Sequence, residues 1–263
     1  MKTTANGISV NYTLDGPASA PVVTLSHSLA ADLAMWDPQM KALTAKYRVL
    51  RYDTRGHGGT DAPAGAYTLE QLAEDARALL QTLWITKTHW IGLSMGGVYG
   101  LFTALKYPGL FASMVLADTS PRLAPEGIQA FKDRVAAVRA GGMEAMVEPT
   151  LKRWFKDSFH AKEPALMKRV GEWIRTTPAE GYIGTSAAIP TIDVTARLGE
   201  IAIPCLALVG ADDVAMPPAF SRILAGKIPD CRYAEIPDAG HISNIEQPEA
   251  FNQAVEGFHD GIL

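Results

Sequence analysis

Apolar residues along the chain change their spacing several times, and each change marks an element. Ile8, Val10, Tyr12 and Leu14 alternate with Ser9, Asn11 and Thr13, the two-residue period of a half-buried strand, and Asp15-Gly16-Pro17 closes it in a turn. Compact runs at Val22-Val-Thr-Leu25 and Arg48-Val-Leu-Arg-Tyr52 read as two further strands. Between them Asp37-Pro38 predicts a helix cap followed by its first-turn proline, leading into Leu43 and Tyr47. Thr68-Leu-Glu-Gln71 has the form of a capping box, and Leu69, Leu72, Ala76, Leu79, Leu80 and Leu83 follow at helical spacing. Trp90 and Ile91 give another short strand. Val98, Leu101, Phe102 and Leu105 then recur every three to four residues until Tyr107-Pro108-Gly109 stops the helix.

Strands alternating with helices in this way imply a mostly parallel sheet with helices on both faces, and the hairpin-like opening adds an antiparallel edge. After the strand Met114-Val-Leu-Ala117 the pattern breaks. From Pro121 to about Pro190 the strand-like runs disappear, charges multiply, and Ile128, Phe131, Val135 and Val138 follow a helical period. Strand signal resumes with Ile203-Pro-Cys-Leu-Ala-Leu-Val209 and again at Cys231-Arg-Tyr-Ala-Glu-Ile236, before a helix announced by Gln247-Pro248-Glu249. The expected organisation is one α/β core from residues 1–120 and 191–263, with a helical cap over residues 121–190 that folds across the C-terminal ends of the strands.

Composition narrows the function classes. The 263 residues carry Lys+Arg 24 against Asp+Glu 28, a net charge of −4, which offers no basic field for nucleic acid. No apolar stretch has the length of a membrane span and Met1-Lys-Thr-Thr-Ala-Asn-Gly7 lacks the core of a secretory signal, so no membrane partner is expected and the cytoplasm is the expected address. Cys205 and Cys231 read as reduced core residues. No phosphate loop, dinucleotide fingerprint or metal-binding spacing occurs, so neither cofactor nor metal is implied, and the expected partner is a small molecule.

The chemistry lies in Gly92-Leu-Ser-Met-Gly96, set between a strand and a helix. A serine in that setting sits on a turn so tight that its neighbours must lack side chains, which exposes Ser94 as a nucleophile. The helix that follows aims unsatisfied N–H groups, Met95 first among them, at the place where negative charge grows on an attacked carbonyl. The backbone N–H of Leu29, in His27-Ser-Leu-Ala30 after an earlier strand, is the candidate second donor. A serine hydroxyl needs a base and an orienting acid. His241, in Pro237-Asp-Ala-Gly-His241-Ile-Ser-Asn244, and Asp213, closing Leu206-Ala-Leu-Val-Gly-Ala-Asp-Asp213, supply both in the chain order nucleophile, acid, base. Adjacent Asp212 is the alternative acid, since only one of the two can face inward. Asp118, after the strand Met114-Val-Leu-Ala117, is a third candidate acid, though its expected role is a loop hydrogen bond at the cavity rim. His27 and His57 precede the serine and have the wrong topology for the base. His89 reads as a strand residue, and His160 and His259 as residues on solvated helix surfaces.

With these motifs assembled, the chain resembles the α/β-hydrolase family over nearly its whole length, and within it the 3-oxoadipate enol-lactonases of aromatic catabolism. The resemblance rests on Ala34-Met-Trp-Asp-Pro-Gln-Met40, Arg48-Val-Leu-Arg-Tyr-Asp-Thr-Arg-Gly-His-Gly58, the serine turn, Arg153-Trp-Phe155, Gly181-Tyr182 and His241-Ile-Ser-Asn-Ile-Glu246. Two departures touch the pocket: His27 and Ala30 stand where such lactonases usually carry Asn and Gly, and a cap tryptophan is replaced near Phe131. The resemblance implies an α/β-hydrolase fold, a lactone opened through an acyl-enzyme, and a substrate whose free carboxylate needs a cation. Arg122, Arg134 and Arg153 of the cap are the candidates, with Arg134 first, and Trp36 and Trp154 are the implied aromatic contacts. The nearest rival is a general carboxylesterase or aryl esterase with the same triad. A slow ligand receptor on this fold is a third reading.

Overall fold

A computed structural model of the chain describes residues 1–262. Eight strands form a single sheet: β1 (Lys2–Ala5), β2 (Ile8–Asp15), β3 (Val22–Ser26), β4 (Arg48–Tyr52), β5 (Thr88–Leu93), β6 (Phe111–Ala117), β7 (Cys205–Gly210) and β8 (Cys231–Ile236). Their spatial order is β1-β2-β4-β3-β5-β6-β7-β8, antiparallel for the first two pairings and parallel thereafter. β5 and β7 are buried along their whole length, as strands covered on both faces must be.

The helices follow from that order. α1 (Asp37–Leu43) links β3 leftward to β4, whereas α2 (Leu69–Thr82), α3 (Met95–Lys106) and, later, α9 (Pro218–Lys227) make rightward crossings. Parallel crossovers are right-handed, so the two directions place helices on opposite faces. The last helix of the chain, α11 (Pro248–Asp260), packs beside α1, and a short α10 (Ser243–Glu246) leads into it. Thr68 caps α2 as the capping box requires, its hydroxyl accepting from the Gln71 N–H at 3.1 Å. Asp37 does not cap α1. It is the helix's first residue, and no side chain caps α1; Asp32 caps the 3₁₀ turn Leu33–Trp36 that leads into it, accepting from Ala34 N at 2.7 Å. Asp37 instead pairs with Arg51 at 2.7 Å and with Arg169.

Five helices lie between β6 and β7: α4 (Pro125–Gly141), α5 (Glu144–Trp154), α6 (Asp157–Lys162), α7 (Pro164–Thr176) and α8 (Ala179–Ala188). Backbone contacts clasp this layer to the sheet's C-terminal side. Val194 N donates to Pro121 O at 3.0 Å, Tyr67 N to Gly184 O at 3.1 Å, and His241 N to Trp154 O at 2.8 Å. The Arg55-Gly-His-Gly58 loop meets α8 where Gly56 and Gly181 touch backbone to backbone; a Cβ on Gly181 would fall 2.0 Å from Gly56 O. Arg55 holds that loop to α2 through a buried two-pronged pair with Asp75, both contacts at 2.6 Å. Among the described residues no helix is long and apolar enough to cross a membrane. Cys205 is buried, but Cys231, its cross-strand neighbour, is only partly so.

Histidine burial exceeds what the sequence pattern suggested. His259 is not on a solvated surface: it is buried on α11 against Tyr47 and His89, with neither ring nitrogen hydrogen-bonded. Burial, then the neighbouring His89, pushes its pKa down to about 4; burial, then His27, pushes His57 down to about 3. Both rings are therefore neutral in the fold and protonate first when it unfolds. The contribution of the two rings is accordingly full above pH 6.5 and falls as the pH drops below it, each ring giving a slope of up to about 1.4 kcal/mol per pH unit. The expected result is a Tm that declines from pH 7 to pH 5 at constant ionic strength, and a shallower decline in His259→Phe. A Tm profile identical in the two proteins would show that His259 does not contribute.

Candidate active site

β5 runs straight into α3 with Ser94 as the hinge. Ser94 adopts φ 53° and ψ −112°, a left-handed conformation that costs a non-glycine residue about 1–3 kcal/mol. The surroundings enforce it: a Cβ on Gly92 would lie 2.2 Å from Gly96 O, and one on Gly96 2.0 Å from Ser26 O. Ser94 is pinned further by its own N–H to Ala117 O at 2.8 Å and by the Thr119 hydroxyl, which donates to Ser94 O at 2.7 Å.

Asp213 and His241 come from the loops after β7 and β8 and meet Ser94 above the sheet. His241 Nε2 lies 2.9 Å from Ser94 Oγ, and its Nδ1 lies 2.8 Å from Asp213 Oδ2. A carboxylate only accepts, so Nδ1 carries the proton and Nε2 is left as acceptor for the serine hydroxyl. The other oxygen, Asp213 Oδ1, accepts the N–H groups of Ala215 at 2.7 Å and Met216 at 2.9 Å. Asp212 points outward and pairs with Lys156 at 2.6 Å. Asp118 does not reach His241. It is fully buried rather than at the rim, accepts from Gly210 N at 2.8 Å and meets the Ser243 hydroxyl at 2.6 Å, so it braces the two loops that carry Asp213 and His241. Burial first, and the nearby Asp213 second, raise its pKa well above the ordinary carboxylate value.

Ser94 and His241 open into a cavity of about 470 Å³ between the sheet and the helical layer. Leu29 and Met95 line it beside the serine, and neither backbone N–H donates to an acceptor among the described residues. Leu123, Val98, Met216 and Phe220 make much of the remaining wall apolar. Arg134 and Arg153 face it from α4 and α5, and neither forms an ion pair with a described residue. Arg134 Nε is buried without a partner. Burial, followed by the repulsion of Arg134, lowers the Arg153 pKa to about 10, which leaves that guanidinium charged near neutrality, and burial lowers Arg134 from its ordinary value as well. The one acidic residue on the cap side of the wall, Glu126, is exposed.

The α/β hydrolase fold family matches residues 21–248. The chain belongs to that family. This hydrolase is 36% identical to 3-oxoadipate enol-lactonase 1 of Acinetobacter baylyi, over 98% of its own length and 96% of the relative's. Its fold is similar to the crystal structure of the enol-lactonase from Burkholderia xenovorans, with a TM-score of 0.95 and 38% identity across 99% of this chain and 100% of that one. A thermophilic esterase from Thermogutta terrifontis, solved with malate bound, matches at TM-score 0.93 and 29% identity, covering 100% and 99% of the two chains.

Two candidate substrate contacts of the hydrolase are corrected. Trp36 is fully buried in the core, tilted against Phe251 at 6.2 Å between ring centroids, and is not part of the cavity wall. Arg122 is exposed and lies outside the wall; its backbone bridges to Asp193 where the helical layer leaves and rejoins the sheet. Arg134, Arg153 and Trp154 do line the cavity. The His27-Ser-Leu-Ala30 loop explains its own departures. His27 Nε2 accepts from Thr54 N at 3.0 Å and Nδ1 donates to Ser28 O at 2.7 Å, so one buried ring ties the Leu29 turn to the loop after β4. Ala30 takes φ 63°, the left-handed region that glycine occupies more cheaply. Glu246, which no sequence motif marks as a site position, accepts from Gly240 N at 2.7 Å and Lys156 N at 3.1 Å, fixing the His241 loop to the helical layer.

Proposed function

We propose that this hydrolase cleaves a small anionic lactone or ester through an acyl-enzyme on Ser94, with an enol-lactone of the 3-oxoadipate type, in aromatic catabolism, as its substrate. The observation that carries the substrate class is the pair of unpaired guanidiniums, Arg134 and Arg153, facing the same cavity as Ser94. Two half-buried like charges repel, and a bound carboxylate relieves both through charge-assisted hydrogen bonds. The names of the relatives in Acinetobacter and Burkholderia and the malate in the Thermogutta esterase structure support the same reading. We place the enzyme in the cytoplasm and assign residues 121–190 the role of a cap over the site.

In this mechanism His241 takes the Ser94 proton as Oγ attacks the lactone carbonyl, and the Leu29 and Met95 N–H groups hold the tetrahedral oxyanion. Collapse expels the enol oxygen, which His241 protonates. The leaving group stays tethered to the acyl chain, so a water activated by His241 then hydrolyses the acyl-enzyme, and the released enol relaxes to the keto acid. Asp213 keeps the imidazole in the tautomer these steps need.

The test compares an anionic enol-lactone with a neutral aryl acetate. Arg134→Ala and Arg153→Ala are each expected to raise KM for the lactone about 30-fold, the worth of one hydrogen bond to a charged group, and to leave the aryl acetate within about 3-fold. The apolar wall of Val98, Leu123, Met216 and Phe220 favours a second reading, a general aryl esterase. That reading predicts equal effects on both substrates, and equal effects would replace the first.

A further inference from the structure

A second, largely apolar space of about 840 Å³ lies on the far side of α4, between that helix and α8, walled by Ile128, Val135, Ile183 and Ala187. Phe131 is the one described residue that lines both this groove and the Ser94 cavity. Helical spacing accounts for the sharing. Gly127, Ala130 and Arg134 form the stripe of α4 that faces the cavity, Ile128 and Val135 form the adjacent stripe that faces the groove, and Phe131 falls on the boundary. Its side chain is only 6% exposed, and the Arg134 guanidinium carbon sits 4.1 Å from its ring centroid, so the ring is held from the cavity side by a cation–π contact.

We propose that Phe131 is the partition that sets how long an acyl chain the Ser94 cavity accepts, and that the groove behind it is a latent subsite for a medium-length alkyl chain. The inference rests on the reading of Ser94 as nucleophile, and is independent of the anionic substrate. With the ring in place the cavity ends at α4, which suits a short, charged acyl group. With the ring removed, the two spaces join where Phe131 stood, and an alkyl chain running away from the serine enters a groove whose wall is mostly apolar, with Lys132, Arg139 and Glu180 also lining it. Each methylene buried there improves binding by a factor of about 4.

The experiment measures kcat/KM for p-nitrophenyl octanoate relative to p-nitrophenyl acetate in the wild type, Phe131→Ala and Phe131→Leu. The expected ratio rises about tenfold in Phe131→Ala and by less in Phe131→Leu, whose smaller change protects the test from a folding failure. Adding Ala187→Phe, which fills the groove from an exposed position, is expected to reverse the gain in the octanoate-to-acetate ratio. Calorimetric binding of octanoate and butyrate to the same proteins reads the partition without turnover, so a wrong nucleophile and an absent partition give different results. Unchanged chain-length ratios in both Phe131 variants, or a gain that survives Ala187→Phe, would overturn the proposal.

Discussion

Ser94→Ala is expected to lower kcat for ester cleavage by about 10⁶-fold, leaving only the residual acceleration that binding and the oxyanion donors provide. The variant should fold. Alanine retains the Cβ that already occupies the strained turn, and the glycines that enforce φ 53° are untouched. What disappears is the hydroxyl 2.9 Å from His241 Nε2, the one oxygen in the cavity wall bonded to a ring whose other nitrogen is committed to a carboxylate. Ser28, which also lines the cavity, has no such partner, so its hydroxyl stays un-ionised and weakly nucleophilic. A fluorophosphonate probe should label Ser94 in the wild type and nothing in the variant, with Tm unchanged within a few degrees. Turnover above one per cent of wild type in Ser94→Ala would place the nucleophile elsewhere.

The serine turn is legible because its steric demand is written in five consecutive residues, a serine with glycine two before and two after it between a strand and a helix. The α2 boundaries were legible for a similar reason, a local cap followed by a one-sided apolar stripe. What escaped depended on how separate segments meet. β1 is short and polar, Lys2-Thr-Thr-Ala5, and owes its existence to pairing with β2 rather than to any apolar pattern. Asp37 followed by proline has the local form of a cap, yet it is the first residue of the helix: Asp32 caps the 3₁₀ turn Leu33–Trp36 before it, and two arginines hold Asp37. Charge marks Arg122, Arg134 and Arg153 alike but does not reveal helix phase: Arg134 and Arg153 turn into the cavity while Arg122 remains outside it. His259 had a signal that was overlooked, since Phe251, Val255, Phe258 and His259 repeat at the three- and four-residue spacing of a buried stripe.

Asp213→Asn is expected to lower kcat by about 10⁴-fold although it changes a single atom, and the neighbouring Asp212→Asn to change it less than about 2-fold. The difference follows from hydrogen-bond bookkeeping at the acid. Asp213 Oδ1 accepts two backbone N–H groups, from Ala215 and Met216, so an asparagine there must keep its carbonyl oxygen on that side. Its NH₂ then faces His241 Nδ1 at the position where Oδ2 now accepts at 2.8 Å. Two donors cannot share that contact, so the imidazole switches tautomer and carries its proton on Nε2, pointing at the serine oxygen it is meant to deprotonate. The geometry survives while the base is lost, and KM should move far less than kcat. Asp212 has only a solvent-screened ion pair with Lys156 to lose, which contributes little to stability and nothing to the tautomer. Measuring both variants on one neutral ester assigns the acid directly: comparable losses at 212 and 213, or a Asp213→Asn enzyme with wild-type kcat, would mean that the imidazole is oriented by some group other than the Asp213 carboxylate.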